Sequence, residues 1–176
     1  MGEAAMILPG TDEYPAAFHG YVTLVPETDV LAALEAQLGE VRRLAALVPP
    51  GRESFAYAPG KWSIRQILGH LGDGERVFGF RAFTFGRGDR AALPGFDENA
   101  YVASARSAEI PLRDLVDEFG YLREGNLRML RGLAPGQWSN SGTANDNAIT
   151  VRALIYAMAG HVRHHLGVLK ERYGVD

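Results

Sequence analysis

The chain has 176 residues, of which 47% are hydrophobic and 22% charged, and these ordinary globular proportions exclude a disordered or fibrous class. Its 18 Lys and Arg against 21 Asp and Glu leave a formal net charge of -3 with no basic block, so nucleic acid is not an expected partner. The absence of Cys excludes disulfides, a thiolate nucleophile and zinc-thiolate sites, and any metal must therefore be held by His, Asp or Glu.

The length is that of one domain, and 1–176 is read as a single domain. The stretch Met1 to Pro9 lacks a basic n-region and has only a short apolar run, so it is not expected to be a signal peptide. No segment approaches the roughly 20 apolar residues needed to span a bilayer. Together these features give a cytoplasmic expectation with no membrane partner.

In chain order, Tyr14 to Val25 is expected to add an extended N-terminal segment packed by its aromatic rings. The first helix is predicted from about Asp29 to Val48, where Leu31, Leu34, Leu38, Val41, Leu44, Ala45 and Val48 recur at threes and fours; Pro49, Pro50 and Gly51 stop it. The second opens at Ser63, whose spacing to Gln66 fits a capping box, and runs toward Gly86. From Gly86 to Ile110 lies a long connection whose Leu93, Pro94, Gly95, Phe96, Asp97 and Tyr101 are too apolar for a solvated linker; it is read as a lid or wall over one bundle end.

The third helix is expected with Pro111 at its first position and with Leu112, Leu115, Val116, Phe119, Leu122, Met129, Leu130 and Leu133 on one face. The fourth starts after Thr150 as its cap and ends near Tyr173, with Gly174 in the left-handed terminal turn. No strand-like alternation competes. Four helices with one apolar face each predict an all-α four-helix bundle with a long loop between helices two and three.

Five histidines are present. On a wheel of about 100° per residue, His161 and His165 fall about 20° either side of Leu154, inside the stripe of Val151, Met158 and Leu169, whereas His164 falls on the rim about 80° away. Two neutral imidazoles in an apolar stripe cost about 1 to 3 kcal/mol each unless their nitrogens find partners. A metal satisfies both, and hydrogen bonds to a core carboxylate or carbonyl are the alternative. Metals held without thiolates usually take three protein ligands, and His70, at the border of the face of Ile64, Ile67, Leu71 and Phe78, is the natural third. Gly74, one turn on, leaves room for something to approach closely. His19 is read as a surface or packing residue.

Beside the histidines, Asp73 is a candidate base or outer partner, and Arg81, about 20° from His70 on the wheel, a candidate anion contact. Glu75, about 140° from His70, is expected to be exposed or to cap another element. Asn126 is read as a satisfied core amide. Trp62 and Trp138 are expected to close the ends of the core, and Gly86-Arg-Gly-Asp-Arg-Ala is assigned to a turn because it lacks the Lys-Ser ending of a phosphate loop.

The run Tyr57 to Glu75, with Pro-Gly-Lys-Trp-Ser leading to His70, and the run Ala159 to Gly167, with His-Val-Arg-His-His, resemble the DinB superfamily. The loop Leu93 to Tyr101 and Trp138 are similar too, so the likeness runs from about Tyr14 to Tyr173; Val168 stands where many relatives carry Gln. The resemblance implies that His70, His161 and His165 hold one divalent transition metal, zinc or nickel first. It implies a small-molecule substrate and a homodimer. Thiol S-transfer with a low-molecular-weight thiol leads among the implied activities. Metal-dependent hydrolysis and non-catalytic metal or small-ligand binding in a stress response are the alternatives.

Overall fold

The computed structural model describes residues 7–176; most of the segment read as carrying no signal peptide lies outside them. Instead of an extended N-terminal segment, a short 3-10 turn at Ala16–Phe18 leads into helix α1, His19–Val22. This helix lies against the last helix at Gly160, where a Cβ would come within 1.9 Å of the Tyr21 carbonyl oxygen, so only glycine allows the approach.

The four long helices are α2 (Val30–Ala46), α3 (Ile64–Gly86), α5 (Leu112–Arg131) and α6 (Val151–Tyr173), with a shorter α4 (Glu98–Ser104) in the long connection. Their ends follow the local chemistry. The Asp29 carboxylate accepts from Ala32 N at 2.9 Å. Ser63 and Gln66 form the reciprocal capping box at 3.3 and 2.8 Å. Thr150 Oγ1 accepts from Ala153 N at 3.1 Å, and Gly174 closes α6 with φ 64°. Pro111 sits one position earlier than expected, as the cap of α5 rather than its first residue.

Around the bundle the order is α2, α5, α3, α6, so α3 packs on both α5 and α6 while α2 packs on the same two helices from the other side. The apolar core has two parts. One contains Leu34, Phe78, Phe85, Leu127, Leu130, Trp138, Leu154 and Met158; the other contains Val41, Leu44, Ile64, Leu68, Leu71, Phe119, Val162 and Leu169. Along each helix the boundary between the two parts falls at a buried polar residue: Gln37, Glu75, Arg123 and His161. The predicted face of the third helix holds at Leu115, Val116, Phe119, Leu130 and Leu133, which are buried, and widens to take in Arg123 and Leu127, while Leu112, Leu122 and Met129 are half-buried.

Two elements went beyond the sequence expectation. Strands β1 (Ser141–Ala144) and β2 (Asn147–Thr150) form an antiparallel hairpin in which Gly142 pairs with Ile149 and Thr143 with Ala148. Its turn places Asn145 at φ 52° and Asp146 at φ 59°, the two consecutive positive values of a tight hairpin turn that Asn and Asp tolerate. The hairpin pins the long connection: Leu93 N donates to Thr143 O at 2.9 Å and Asn145 N to Leu93 O at 3.0 Å. Within that connection Asp97 caps α4 by accepting from Asn99 N and Ala100 N at 3.0 and 3.1 Å. Among the described residues no helix is long and apolar enough to cross a membrane.

Candidate metal centre

Helix α6 places His161 and His165 one turn apart on its buried face, at 6% and 8% exposure, and α3 places His70 opposite them at 4%. Their Nε2 atoms converge: His70 to His161 at 2.8 Å and His165 to His161 at 3.1 Å. The three ligand atoms lie within 4.8 Å of one another. His161 can approach α3 this closely because residue 74 is glycine; a Cβ there would lie 2.8 Å from His161 Cε1 and 3.0 Å from Nδ1. His164 is exposed on the rim, with Tyr21 edge-on to both it and His161 at 5.6 and 5.7 Å between ring centres.

All three buried imidazoles are held neutral. Burial draws His70 down to about 4, with Glu98 opposing; burial, with His70 and His164 adding, draws His165 down to about 3; and burial places His161 well below its ordinary value. A neutral ring offers one donor and one acceptor. Since His161 Nε2 faces two other Nε2 atoms and carries either one proton or one lone pair, it can pair fully with only one of them. Among the described residues His70 Nδ1 is also buried without a partner. A divalent ion with nitrogen at about 2.0 to 2.1 Å holds tetrahedral ligands about 3.3 Å apart, a few tenths beyond the two contacts at His161, and it would satisfy all three nitrogens together. The donor set therefore fits such an ion.

A cavity of about 350 Å³ opens on these rings, with walls that include Phe18, Tyr21, Trp62, Phe78, Phe96 and Glu98. Trp62 packs half-buried against the second core part and also reaches the imidazoles. Its ring lies 4.7 Å from His70 and stacks over His165 at 6.2 Å, and it lines the cavity. Trp138, by contrast, is buried at 3% among core residues. The predicted wall is present in Gly95, Phe96 and Glu98, which all line the cavity.

Of the further candidates, Arg81 lines the cavity and Asp73 does not join it; Asp73 is half-buried, with Arg76 at 3.9 Å. Glu75 departs most from expectation. It is 1% exposed and takes Arg123, itself 0% exposed, through Nε at 2.9 Å and Nη2 at 2.6 Å. Arg123 Nη1 also donates to Leu34 O and Gln37 Oε1 at 2.9 and 2.8 Å. Asn126 is the satisfied amide it was read to be, donating to Glu75 O and Oε2 at 3.0 Å. Glu98 and Asn145 escaped notice in the sequence, although Asp97 as a cap and the Asn-Asp pair as a turn were signals for the elements that carry them.

The model of the DinB superfamily matches residues 33–169 of the chain. Among solved structures the chain is similar to YfiT from Bacillus subtilis, described as a probable metal-dependent hydrolase with an unusual four-helix bundle topology. The two are 19% identical, the match covers 84% of this chain and 87% of that one, and the TM-score is 0.72, a likeness of fold. No curated protein matches the chain.

Proposed function

The chain belongs to the DinB superfamily, and from that premise we propose that it is a metal-dependent enzyme, with His70, His161 and His165 as the metal ligands and a small molecule as its substrate. The observation that carries this reading is the meeting of three neutral, buried imidazole nitrogens at the wall of a 350 Å³ cavity. A divalent ion bound there supplies Lewis acidity, which acidifies a nucleophile or polarises a carbonyl. The identity of the ion is open to zinc, nickel and other transition metals that accept imidazole.

Hydrolysis is the reading favoured by the side chains around the rings. Glu98 lines the cavity, and its charge lies close enough to oppose the downward pull of burial on His70 and to add to the upward pull of burial on Tyr21. A carboxylate in that position could accept the proton of an attacking water, whereas thiol transfer at a divalent ion would call for no such base. Trp62 and Phe78 exclude bulk water from the rings and strengthen electrostatic interactions there. The second reading is low-molecular-weight-thiol S-transfer, favoured by the five aromatic side chains of the cavity wall, which suit an apolar electrophile. A cytoplasmic homodimer accompanies both readings, and light scattering at micromolar concentration tests the dimer.

Cobalt substitution separates an open catalytic ion from a closed structural one. Addition of a thiol to fully loaded cobalt protein is expected to create a sulfur-to-metal charge-transfer band without displacing any histidine. An unchanged spectrum at millimolar thiol or anion rejects the enzyme reading. A panel of esters and amides, set against thiol-electrophile pairs, then divides hydrolysis from transfer. In either active assay Glu98→Gln should retain the metal; a fall in kcat of about 10² to 10⁴ marks hydrolysis.

A further inference from the structure

Two arginines are buried in the bundle. Arg123 has every nitrogen engaged, on Glu75, Gln37 and Leu34 O. Arg81, at 6% exposure, makes one hydrogen bond among the described residues, from Nη2 to Pro94 O at 2.9 Å. None of the ion pairs among the described residues includes it. A guanidinium offers two two-nitrogen edges to a carboxylate, one formed by Nε with Nη2 and the other by Nη2 with Nη1. Whichever Nη2 hydrogen Pro94 uses, one of those edges keeps both of its hydrogens.

A partly desolvated cation without a counter-charge is costly, and Arg81 stands at the wall of the cavity that also holds the three imidazoles, its two unbonded nitrogens still in contact with solvent. Gly95 and Asn145 share that wall. The Asn145 amide presses on Gly95, where a Cβ would lie 2.2 Å from Asn145 Oδ1. The amide makes no side-chain hydrogen bond among the described residues. His70 and Arg81 lie eleven residues apart on α3, about 16 Å of helix rise and about 20° of rotation, and arginine side chains lean back toward the helix N-terminus. The cavity is therefore bipolar, with imidazoles and Glu98 at one end and a cationic fork with an amide at the other.

We propose that Arg81 anchors the carboxylate of a small organic acid whose reactive end reaches His70, His161 and His165 through a spacer of several atoms. Asn145 lies on the same wall as a second donor. This names the substrate class of the proposed enzyme and rests on the reading of the cavity as its active site. Acids too short to reach both ends should bind weakly, and uncharged analogues should lose the anchor.

The test is a length series of ω-mercaptoalkanoates against mercaptoalkanols of equal length, titrated into cobalt-loaded protein with the charge-transfer band as readout. At the best length the wild type should bind the carboxylate about ten- to hundred-fold more tightly than the alcohol, the range of a hydrogen bond to a charged group. Arg81→Met should bring that ratio to about one at unchanged cobalt content, and Arg81→Lys should retain part of it. Arg81→Gln replaces Arg81→Met if the latter fails to fold, as judged by circular dichroism. A wild-type ratio near one, or a ratio that survives loss of the guanidinium, overturns the proposal. Should the protein bind no cobalt, the metal reading fails by itself, and calorimetry of the metal-free protein with heptanedioate still decides the anchor. Binding that is lost in Arg81→Met supports it, and equal or absent binding in both overturns it.

Discussion

The bundle buries two polar clusters at nearly the same height, and they differ in what remains unsatisfied. In the first, Glu75, Arg123, Gln37 and Asn126 tie three helices together, and Gln37 Nε2 reaches the fourth at Ala159 O, 2.7 Å away. Its donors and acceptors are matched internally. In the second, two imidazoles compete for the single bonding site of His161 Nε2, and among the described residues one ring nitrogen is buried without a partner. Burial of a polar group therefore does not by itself mark a site, since a satisfied network can serve only to hold helices in register. Leftover bonding capacity beside a cavity is what distinguishes the histidine cluster.

The largest expected effect falls on the closed cluster. Glu75→Gln keeps the shape but leaves the Arg123 charge uncompensated at 0% exposure, a change of the kind that costs about 3 to 5 kcal/mol. Urea unfolding of the metal-free protein measures it. His161→Ala, which removes a ring from an unsatisfied cluster, should cost the metal-free protein clearly less. Equal losses would erase the distinction between the two clusters.

Metal addition should act on the open cluster alone. At a free ion concentration of 100 times Kd the wild type should gain about 2.7 kcal/mol, and His161→Ala should gain nothing comparable. Without metal, stability should fall with acid. The unfolded chain takes up protons near the ordinary histidine value of about 6.5, while folded His70 resists until about 4 and His165 until about 3. The unfolded state thus binds more protons in this window. The stabilisation is whole above pH about 6.5 and is lost as pH drops through 4 toward 3. Urea midpoints across that range check the sign, and a flat profile would contradict the burial of neutral rings.

The same contrast explains what the sequence made legible. Helix ends written in short-range chemistry, such as Ser63 with Gln66, Thr150 and Gly174, could be read directly, and so could His161 and His165, because an apolar stripe reports which residues face inward. A wheel describes one helix at a time. It placed Glu75 away from His70 correctly, yet could not say that α5 rather than solvent covers that side, because α3 lies between α5 and α6. The partner, Arg123, is 48 positions away, and a buried Arg reads as a break in an apolar face until its carboxylate is known. Trp62 was missed as a site residue for a similar reason: its position follows from the path of the segment before Ser63, which no periodicity encodes. The hairpin is too short and polar to show alternation, and only its Asn-Asp turn carried a signal.

Gly74→Ala sharpens the comparison at a single methyl group. The added Cβ meets His161 Cε1 at 2.8 Å, so the ring must move. Overpacking of this kind costs about 1 to 3 kcal/mol, reduced by up to about 1 kcal/mol from the better helix propensity of alanine. Gly125→Ala on α5 meets nothing within 4 Å and should stabilise by about 0.5 to 1 kcal/mol. Thermal melts with and without metal separate the two variants: Gly74→Ala should lose most of the metal-dependent gain, and Gly125→Ala should keep it.

The smallest expected effect is also the most direct test of which histidines form the cluster. His164 is adjacent to His165 in sequence and its ring lies 5.0 Å from it, so a model in which local histidine density recruits the metal would include it. The fold argues otherwise. One residue along α6 is a rotation of about 100°, which carries His164 out of the buried face and onto the exposed rim beside Tyr21. Neither nitrogen of His164 makes a hydrogen bond to the three converging rings. His164→Ala should therefore retain the full metal content by elemental analysis and change stability by no more than about 0.5 kcal/mol, the usual range for a surface substitution. His165→Ala should lose the metal under the same conditions. Equal loss from both variants would mean that the ion is held by the exposed end of α6 rather than by the bundle interior, and the assignment of His70 as the third ligand would fall with it.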